Sequence, residues 1–244
     1  NSINGLSLSF LNMDDYVNAL KYVDSSIQLN RKEHSELNLA TNYNNKGGIY
    51  EAAGDFNSAV LFYKKCLDIR TRLIDKGGMP IVQNNIGMCY IRMNIIDSAR
   101  KYFDLSYQSA IAINEQRTKG LVLNNLAAMF FKLRKLDSAL IYFEQCVEVF
   151  KQIDNKKGIA SVFNSKSEIY LELHDLRAAE MYGLKGMQVS KDLGYPKLIL
   201  KAASNLARIY SRKKQFEDAY NMQLLVNGLS DSIRNDEVKT TLIK

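Results

Sequence analysis

Apolar and polar positions recur along this chain every forty residues. Ala19, Ala59, Ala99, Ala139, Ala179 and Ala219 fall in one register, and Phe10, Tyr50, Tyr90, Phe130, Tyr170 and Tyr210 in another. A third row reads Tyr22, Phe62, Tyr102, Tyr142 and Tyr182 and breaks only at Met222; a fourth holds Tyr16, Phe56, Ile96, Leu136, Leu176 and Phe216. Six copies pass without an insertion or deletion. Self-similarity of this length marks a repeat architecture, in which each unit buries its apolar face against its neighbours.

Within a copy the spacing is helical. Ile86, Tyr90 and Met93 fall at i, i+4 and i+7, one face of a 3.6-residue period. A short polar turn follows, then a second helix bearing Ala99, Tyr102, Phe103 and Ser106. Asp15, Asp55 and Asp175 stand where that second helix begins, where a carboxylate accepts from unpaired backbone N–H groups. Gly77-Gly78 with Pro80, Gly158, and Gly194 with Pro196 mark the longer connections, and proline fits the first turn of a helix. The pattern predicts eleven or twelve helices in an all-α superhelical solenoid of six antiparallel pairs. Its repeats run over 1–40, 41–80, 81–120, 121–160, 161–200 and 201–240. A single array is expected over 1–233, followed by a charged helical exit segment at 234–244.

Composition narrows the function classes. With only 2 prolines and 13 glycines in 244 residues, a loop-rich β fold is disfavoured. The densest apolar stretch, 126–131, falls far short of the roughly 18 residues of a membrane span. The net charge of +7 is dispersed, and its sharpest cluster, Arg212-Lys213-Lys214, sits at a predicted turn, so no direct nucleic-acid contact is expected. No metal, phosphate-loop or nucleophile motif is present. His34 and His174 fall in turns without a ligand partner. Cys66 and Cys146 share a small-residue register with Ser26, Ser106 and Gly186, so packing accounts for them, and buried, reduced thiols are expected. The expectation is a non-enzymatic chain without cofactor or metal.

Asn-rich rows remain unexplained by packing. Asn4, Asn44, Asn84, Asn124 and Asn164 recur at one position, and Asn45, Asn85, Asn125 and Asn205 at the next. Asparagine is a middling helix former, so its recurrence needs a reason. Positions 81, 85, 88 and 92 point away from the core face near Ile86 and Tyr90. Two readings stand side by side. The carboxamides bond an extended peptide backbone, or they bond one another as an inter-helix ladder.

The pattern Tyr43-x2-Lys46-Gly47-x2-Tyr50 with Ala59-x3-Tyr63 resembles the tetratricopeptide repeat (TPR) family, as do Ile86-Gly87-x2-Tyr90 with Ala99-x3-Phe103 and Leu126-Ala127-x2-Phe130 with Ala139-x3-Phe143. Lys46 and Lys166 depart from the family's leucine, and Gly183 and Gln223 from its second-helix aromatic. The resemblance implies that the first helices line a concave groove holding a protein or extended peptide. The groove residues are then Asn45, Asn84, Asn85, Met88, Arg92, Asn124, Asn125 and Lys132, over a floor including Gly48, Ala52, Ile81, Leu121 and Ala128. Glu168 and Glu172 are expected to pair with Arg208 and Arg212. The Asn-Asn-Leu-Ala segment at 124–127 resembles kinesin-light-chain-like and quorum-peptide-receptor TPR proteins.

The segment Gly228 to Ile233, with the charged stretch after it, resembles the exit from TPR arrays in Bacteroidetes-type signalling proteins. That implies the sensing region of a histidine kinase or transcriptional regulator, set in the periplasm, with a membrane span and output domain beyond. The alternative is a cytoplasmic adaptor or signalling-peptide receptor.

Overall fold

The structure, a computed structural model, describes residues 2–242, with side chains from 3 to 234. Twelve helices and no strand occur among the described residues. In chain order they are α1 (Ser2–Asn12), α2 (Tyr16–Lys32), α3 (Glu36–Ala52), α4 (Phe56–Arg72), α5 (Met79–Arg92), α6 (Ile96–Ala112), α7 (Gln116–Lys132), α8 (Leu136–Gln152), α9 (Lys156–Glu172), α10 (Leu176–Asp192), α11 (Pro196–Arg212) and α12 (Phe216–Leu242). The expected all-α class of stacked helix pairs is what the chain forms. α12 runs through residue 233 without a break.

The same tight turn follows every helix but the last, and only between α4 and α5 does a second turn, 76–78, come after it. Asp14, His34, Gly54, Ile74, Asn94, Asn114, Arg134, Asp154, His174, Gly194 and Lys214 all have positive φ, between 48° and 82°, and they recur every twenty residues. At each, the following N–H reaches back to the carbonyl five residues earlier, as in Asp15 N to Phe10 O at 3.0 Å and Ile95 N to Tyr90 O at 2.8 Å. The left-handed residue's own N–H bonds three back, as in Asp14 N to Leu11 O at 3.0 Å. This pair of bonds satisfies carbonyls that the helix end would otherwise leave open. Both histidines are therefore turn residues in the left-handed conformation.

Helix starts follow the residues at the next position. Asp15, Asp55 and Asp175 accept from the N–H groups of Asn18, Ser58 and Ala178, and Asn155 accepts from Gly158. Side-chain hydrogen bonds from Asn18 and Ser58, first, and then those backbone bonds hold the carboxyls of Asp15 and Asp55 below the usual carboxylate range. Asp75 is different: it pairs with Arg70 and accepts from Gly77, and α5 starts late, at Met79.

The chain divides into two compact units, residues 1–125 and 126–244. In the first, Ala19, Val23, Ala40, Ile49, Ala59, Tyr63, Val82, Ile86 and Cys89 belong to one buried cluster. Gly47 and Gly87 let α3 and α5 approach their partners; a Cβ at Gly47 would lie 2.6 Å from the Tyr63 ring. In the second, Leu171, Ala179, Ala202, Ala203, Leu206 and Ile209 belong to a buried cluster. Ala59, Ala99 and Ala139 are all 0% exposed, as their register requires.

The departure at Gly183 is filled by other atoms. Leu206 from α11 occupies the space an aromatic would take, its Cδ2 2.9 Å from where a Cβ would stand. Ser167, at the family's small position, donates to the Ala179 carbonyl at 2.8 Å.

Candidate functional site

Position 85 lies on the face of α5 away from the core, and its equivalents Asn45 and Asn125 are likewise half-buried, whereas Asn205 in the same register is buried. Ile81 and Arg92 are exposed, and Asn85 and Met88 half-buried, whereas Val82, Ile86 and Cys89 on the other side are buried. In the first unit this face opens into a cleft of about 400 Å³ lined by Gly48, Glu51, Ala52, Phe56, Met88 and Arg92. Helix α3 supplies Gly48, Glu51 and Ala52, the first residue of α4 supplies Phe56, and α5 supplies Met88 and Arg92. Gly48 adds no side chain to the floor, and the Tyr63 hydroxyl lies in ordinary contact distance, 3.6 Å, of where its Cβ would be.

The two charges in the cleft are held differently. Glu51 accepts from the Tyr63 hydroxyl at 2.7 Å. Burial, first, and then the Glu51 carboxylate push the Tyr63 phenol well above its ordinary range, so it stays a donor. The Arg92 guanidinium stacks over the Phe56 ring, 5.5 Å from its centroid, and forms no ion pair among the described residues. Its donors are available to a carboxylate or a backbone carbonyl. Glu51 and Phe56 were not among the residues expected here. Phe56 belongs to a register that reads as core, and nothing in the pattern tells that the start of α4 borders the face of α3.

The asparagines divide between the two roles. Asn45 Nδ2 donates to Asn4 Oδ1 at 2.9 Å, and Asn125 Nδ2 to Asn84 Oδ1 at 2.8 Å. In the second unit Asn205 Nδ2 donates to the Asn164 carbonyl at 2.8 Å, and Asn164 Nδ2 to the Leu198 carbonyl at 3.0 Å. A rung thus joins Asn4 to Asn45, Asn84 to Asn125 and Asn164 to Asn205, each pair 41 residues apart in sequence. Asn84 is only 6% exposed and sits at a helix–helix seam rather than on the open face. Asn85 and Asn124 are half-buried, and their carboxamides make no hydrogen bond among the described residues. Asn44 Oδ1, to which Asn85 would donate if the ladder continued, is buried without a partner. Lys132 is exposed on α7 and belongs to the second unit.

The ion pairs expected in the last repeats form in part. Glu168 pairs with Lys201 at 2.6 Å and lies 4.0 Å from Arg208. Glu172 pairs instead with Arg134, and Arg212 donates to the Leu171 carbonyl at 2.7 Å. The Leu171 carbonyl already accepts from the His174 N–H of the turn, and its second lone pair takes the guanidinium.

All three cysteines are buried thiols. Burial pushes Cys89 and Cys146 up to about 12, and it raises Cys66 against the opposing pull of Arg70. No group of His, Cys, Asp and Glu that could hold a metal ion occurs among the described residues. No described helix is long and apolar enough to cross a membrane.

Comparison with known proteins agrees with the fold. No curated protein matches the chain in sequence. Among solved structures, BtubC (BKLC) from P. vanneervenii is similar at 18% identity and TM-score 0.79, covering 90% of this chain and 92% of that one. A Signal Transduction ATPase with Numerous Domains (STAND) protein with a tetratricopeptide repeat sensor, from Pyrococcus horikoshii, is similar at 17% identity and TM-score 0.80. This chain is covered to 96% in that match but spans only 37% of the STAND protein. A Rap protein complexed with Competence and Sporulation Factor is similar at 12% identity and TM-score 0.69, covering 96% of this chain and 64% of that one. The tetratricopeptide repeat family model matches residues 1–72, 78–152 and 118–192. With that match over most of its length and the forty-residue register built into helix pairs, the chain belongs to the tetratricopeptide repeat family.

Proposed function

We propose that this chain is a peptide-binding array whose ligand lies across α3 and α5 in the first unit. The observation that carries the reading is the cleft holding an unpaired Arg92 beside Met88, Ala52 and Gly48. A short apolar side chain fits the floor, and an acidic group meets Arg92. Asn85, with an uncommitted carboxamide, donates to and accepts from the peptide backbone. Asn45 and Asn125 each have one Nδ2 hydrogen in the ladder and keep their carboxamide oxygens for the ligand. Asn84 contributes by holding Asn125. The test is selection of a displayed random-peptide library on the folded chain. Sequences with an acidic residue near an apolar one should be enriched, and Arg92→Ala should remove them. Enrichment that is unchanged by Arg92→Ala would place the ligand elsewhere.

On the same proposal the array is the sensing region of a signal-transduction protein with a kinase or DNA-binding output, facing the periplasm. Its likeness to a STAND protein's repeat sensor supports a sensing role. The likeness to a Rap protein complexed with a signalling factor supports the alternative, a cytoplasmic peptide receptor. Ligand bound across two stacked repeats favours one packing of those helices and so biases whatever follows them. The open reading frame around this segment separates the two: an apolar stretch of about 20 residues followed by an output module supports the sensor.

A further inference from the structure

Two places in the chain, 120 residues apart in sequence, carry the same five-residue arrangement. In the first unit Lys46 Nζ lies 2.5 Å from Asp24 Oδ1 and 4.6 Å from the Phe62 ring centroid. Lys65 Nζ stands 4.9 Å from the same ring, and Tyr43 tilts against Phe62 at 6.1 Å. In the second unit Lys166 Nζ lies 3.4 Å from Glu144 Oε1 and 4.3 Å from the Tyr182 centroid. Lys185 Nζ stands 5.5 Å from that ring, and Phe163 tilts against Tyr182 at 6.0 Å. Acid, aromatic, lysine, aromatic and lysine thus recur in matching registers three repeats apart. The central lysine occupies the family's leucine position in both.

The two copies differ in how the lysine is served. Asp24 closes on Lys46 at contact distance. Glu144 is one methylene longer, its side chain is 65% exposed, and it stays 3.4 Å from Lys166. That is beyond the usual 2.7–2.9 Å of a charge-assisted bond. Yet the Lys166 side chain is only 4% exposed, and a buried ammonium is costly without a close partner. At this second copy a cleft of about 550 Å³ opens between α8 and α10 over α9, lined by Val147, Phe163, Lys166, Tyr182 and Lys185 among others. Glu148 and Lys151 on its rim pair with each other at 2.9 Å and so leave Lys166 and Lys185, with Glu144 as their one counter-charge in the lining, to set its charge.

We propose that the α8–α10 cleft is a second binding site, one that takes the acidic side chain of a peptide next to an apolar residue. The entering carboxylate takes the place Asp24 holds in the first copy, bonded to Lys166 Nζ and within reach of Lys185. Glu144 turns out to solvent. The neighbouring apolar side chain packs on Phe163 and Val147. The site uses helices separate from those of the α3–α5 cleft and stands whether or not that cleft binds peptide.

The experiment is a titration of the isotope-labelled chain with N-acetyl-Glu-Phe-amide and N-acetyl-Gln-Phe-amide, followed by backbone amide shifts. The Glu peptide should move the resonances of α9 and α10 around Lys166 and Lys185, with at least tenfold weaker saturation for the Gln peptide. Lys166→Leu installs the residue the family places there, so it should fold, and it should abolish the response. Lys46→Leu should leave the response intact. No shifts with the Glu peptide, equal binding of the Gln peptide, or an unaltered response in Lys166→Leu would each overturn the site. Binding of 3-phenylpropionate as tight as that of the peptide would overturn the peptide assignment in favour of a small organic acid.

Discussion

Gly87 faces Phe103 so closely that a Cβ on the glycine would lie 2.7 Å from two carbons of the ring. The ring is 0% exposed and cannot move out of the way into solvent. Gly87→Ala should therefore cost about 1–3 kcal/mol through overpacking. The equivalent registers are held by buried Ala127 and buried Phe143, so this array accepts a Cβ at that position, which argues for the lower part of that range. Denaturant melts of the two proteins would check it, and an unchanged midpoint would contradict the packing.

The same register shows what the amino-acid pattern could and could not tell. Small residues at 47, 87 and 127 and aromatics at 63, 103 and 143 are visible in the sequence, and the structure sets Gly47 against Tyr63 and Gly87 against Phe103. Gly183 broke that rule. Its replacement, Leu206, comes from the next repeat, and no spacing within one copy points to it. The twenty-residue sub-period of the turns was present in the sequence but masked by its chemistry. Asp14, His34, Asn94, Asn114, Asp154 and His174 are residue types that tolerate positive φ, while Ile74, Arg134 and Lys214 are not. In the candidate site, Met88 and Arg92 were legible from helical periodicity. Whether an asparagine bonds its neighbour depends on a few tenths of an ångström between helices, and only the fold decides that.

Ile74 is the least suited of the turn residues, a β-branched side chain at φ 55° and 75% exposed. Its side chain contributes little burial, and the left-handed conformation costs roughly 1–2 kcal/mol for such a residue. Ile74→Gly should raise stability by about 1 kcal/mol, less the extra entropy that glycine brings to the unfolded chain. Thermal unfolding would register this as a higher midpoint. A lower midpoint would mean that Ile74 packs in solution.

The thiols set an alkaline limit. Cys89 and Cys146 are pushed from 9.0 up to about 12 by burial, so the unfolded chain gives up these protons first as pH rises. Their contribution to stability is complete below pH 9 and is lost progressively between about 9 and 12. Below pH 9, labelling with a thiol reagent should be slow in native buffer and complete in denaturant. Prompt labelling of Cys146 in the native protein would overturn its placement in the core.

Asn85 and Asn125 occupy one register yet should respond oppositely to truncation. Asn125 Nδ2 is the donor to Asn84 Oδ1, and Asn84 is 6% exposed. Asn125→Ala leaves that acceptor buried and unsatisfied, at a cost of about 1–3 kcal/mol. Asn85 has no such bond, so Asn85→Ala should leave the melting midpoint nearly unchanged, with a small gain from alanine's helix propensity. Its effect should appear in binding: a peptide selected on the α3–α5 cleft should bind several-fold more weakly to Asn85→Ala. Asn125→Ala should weaken the same peptide by a similar factor only after its lost stability is allowed for. Measuring unfolding and peptide affinity on both single variants separates the ladder from the groove. Should Asn85→Ala destabilise the chain as much as Asn125→Ala, the ladder runs through Asn85 as well, and its carboxamide is no longer available to a ligand.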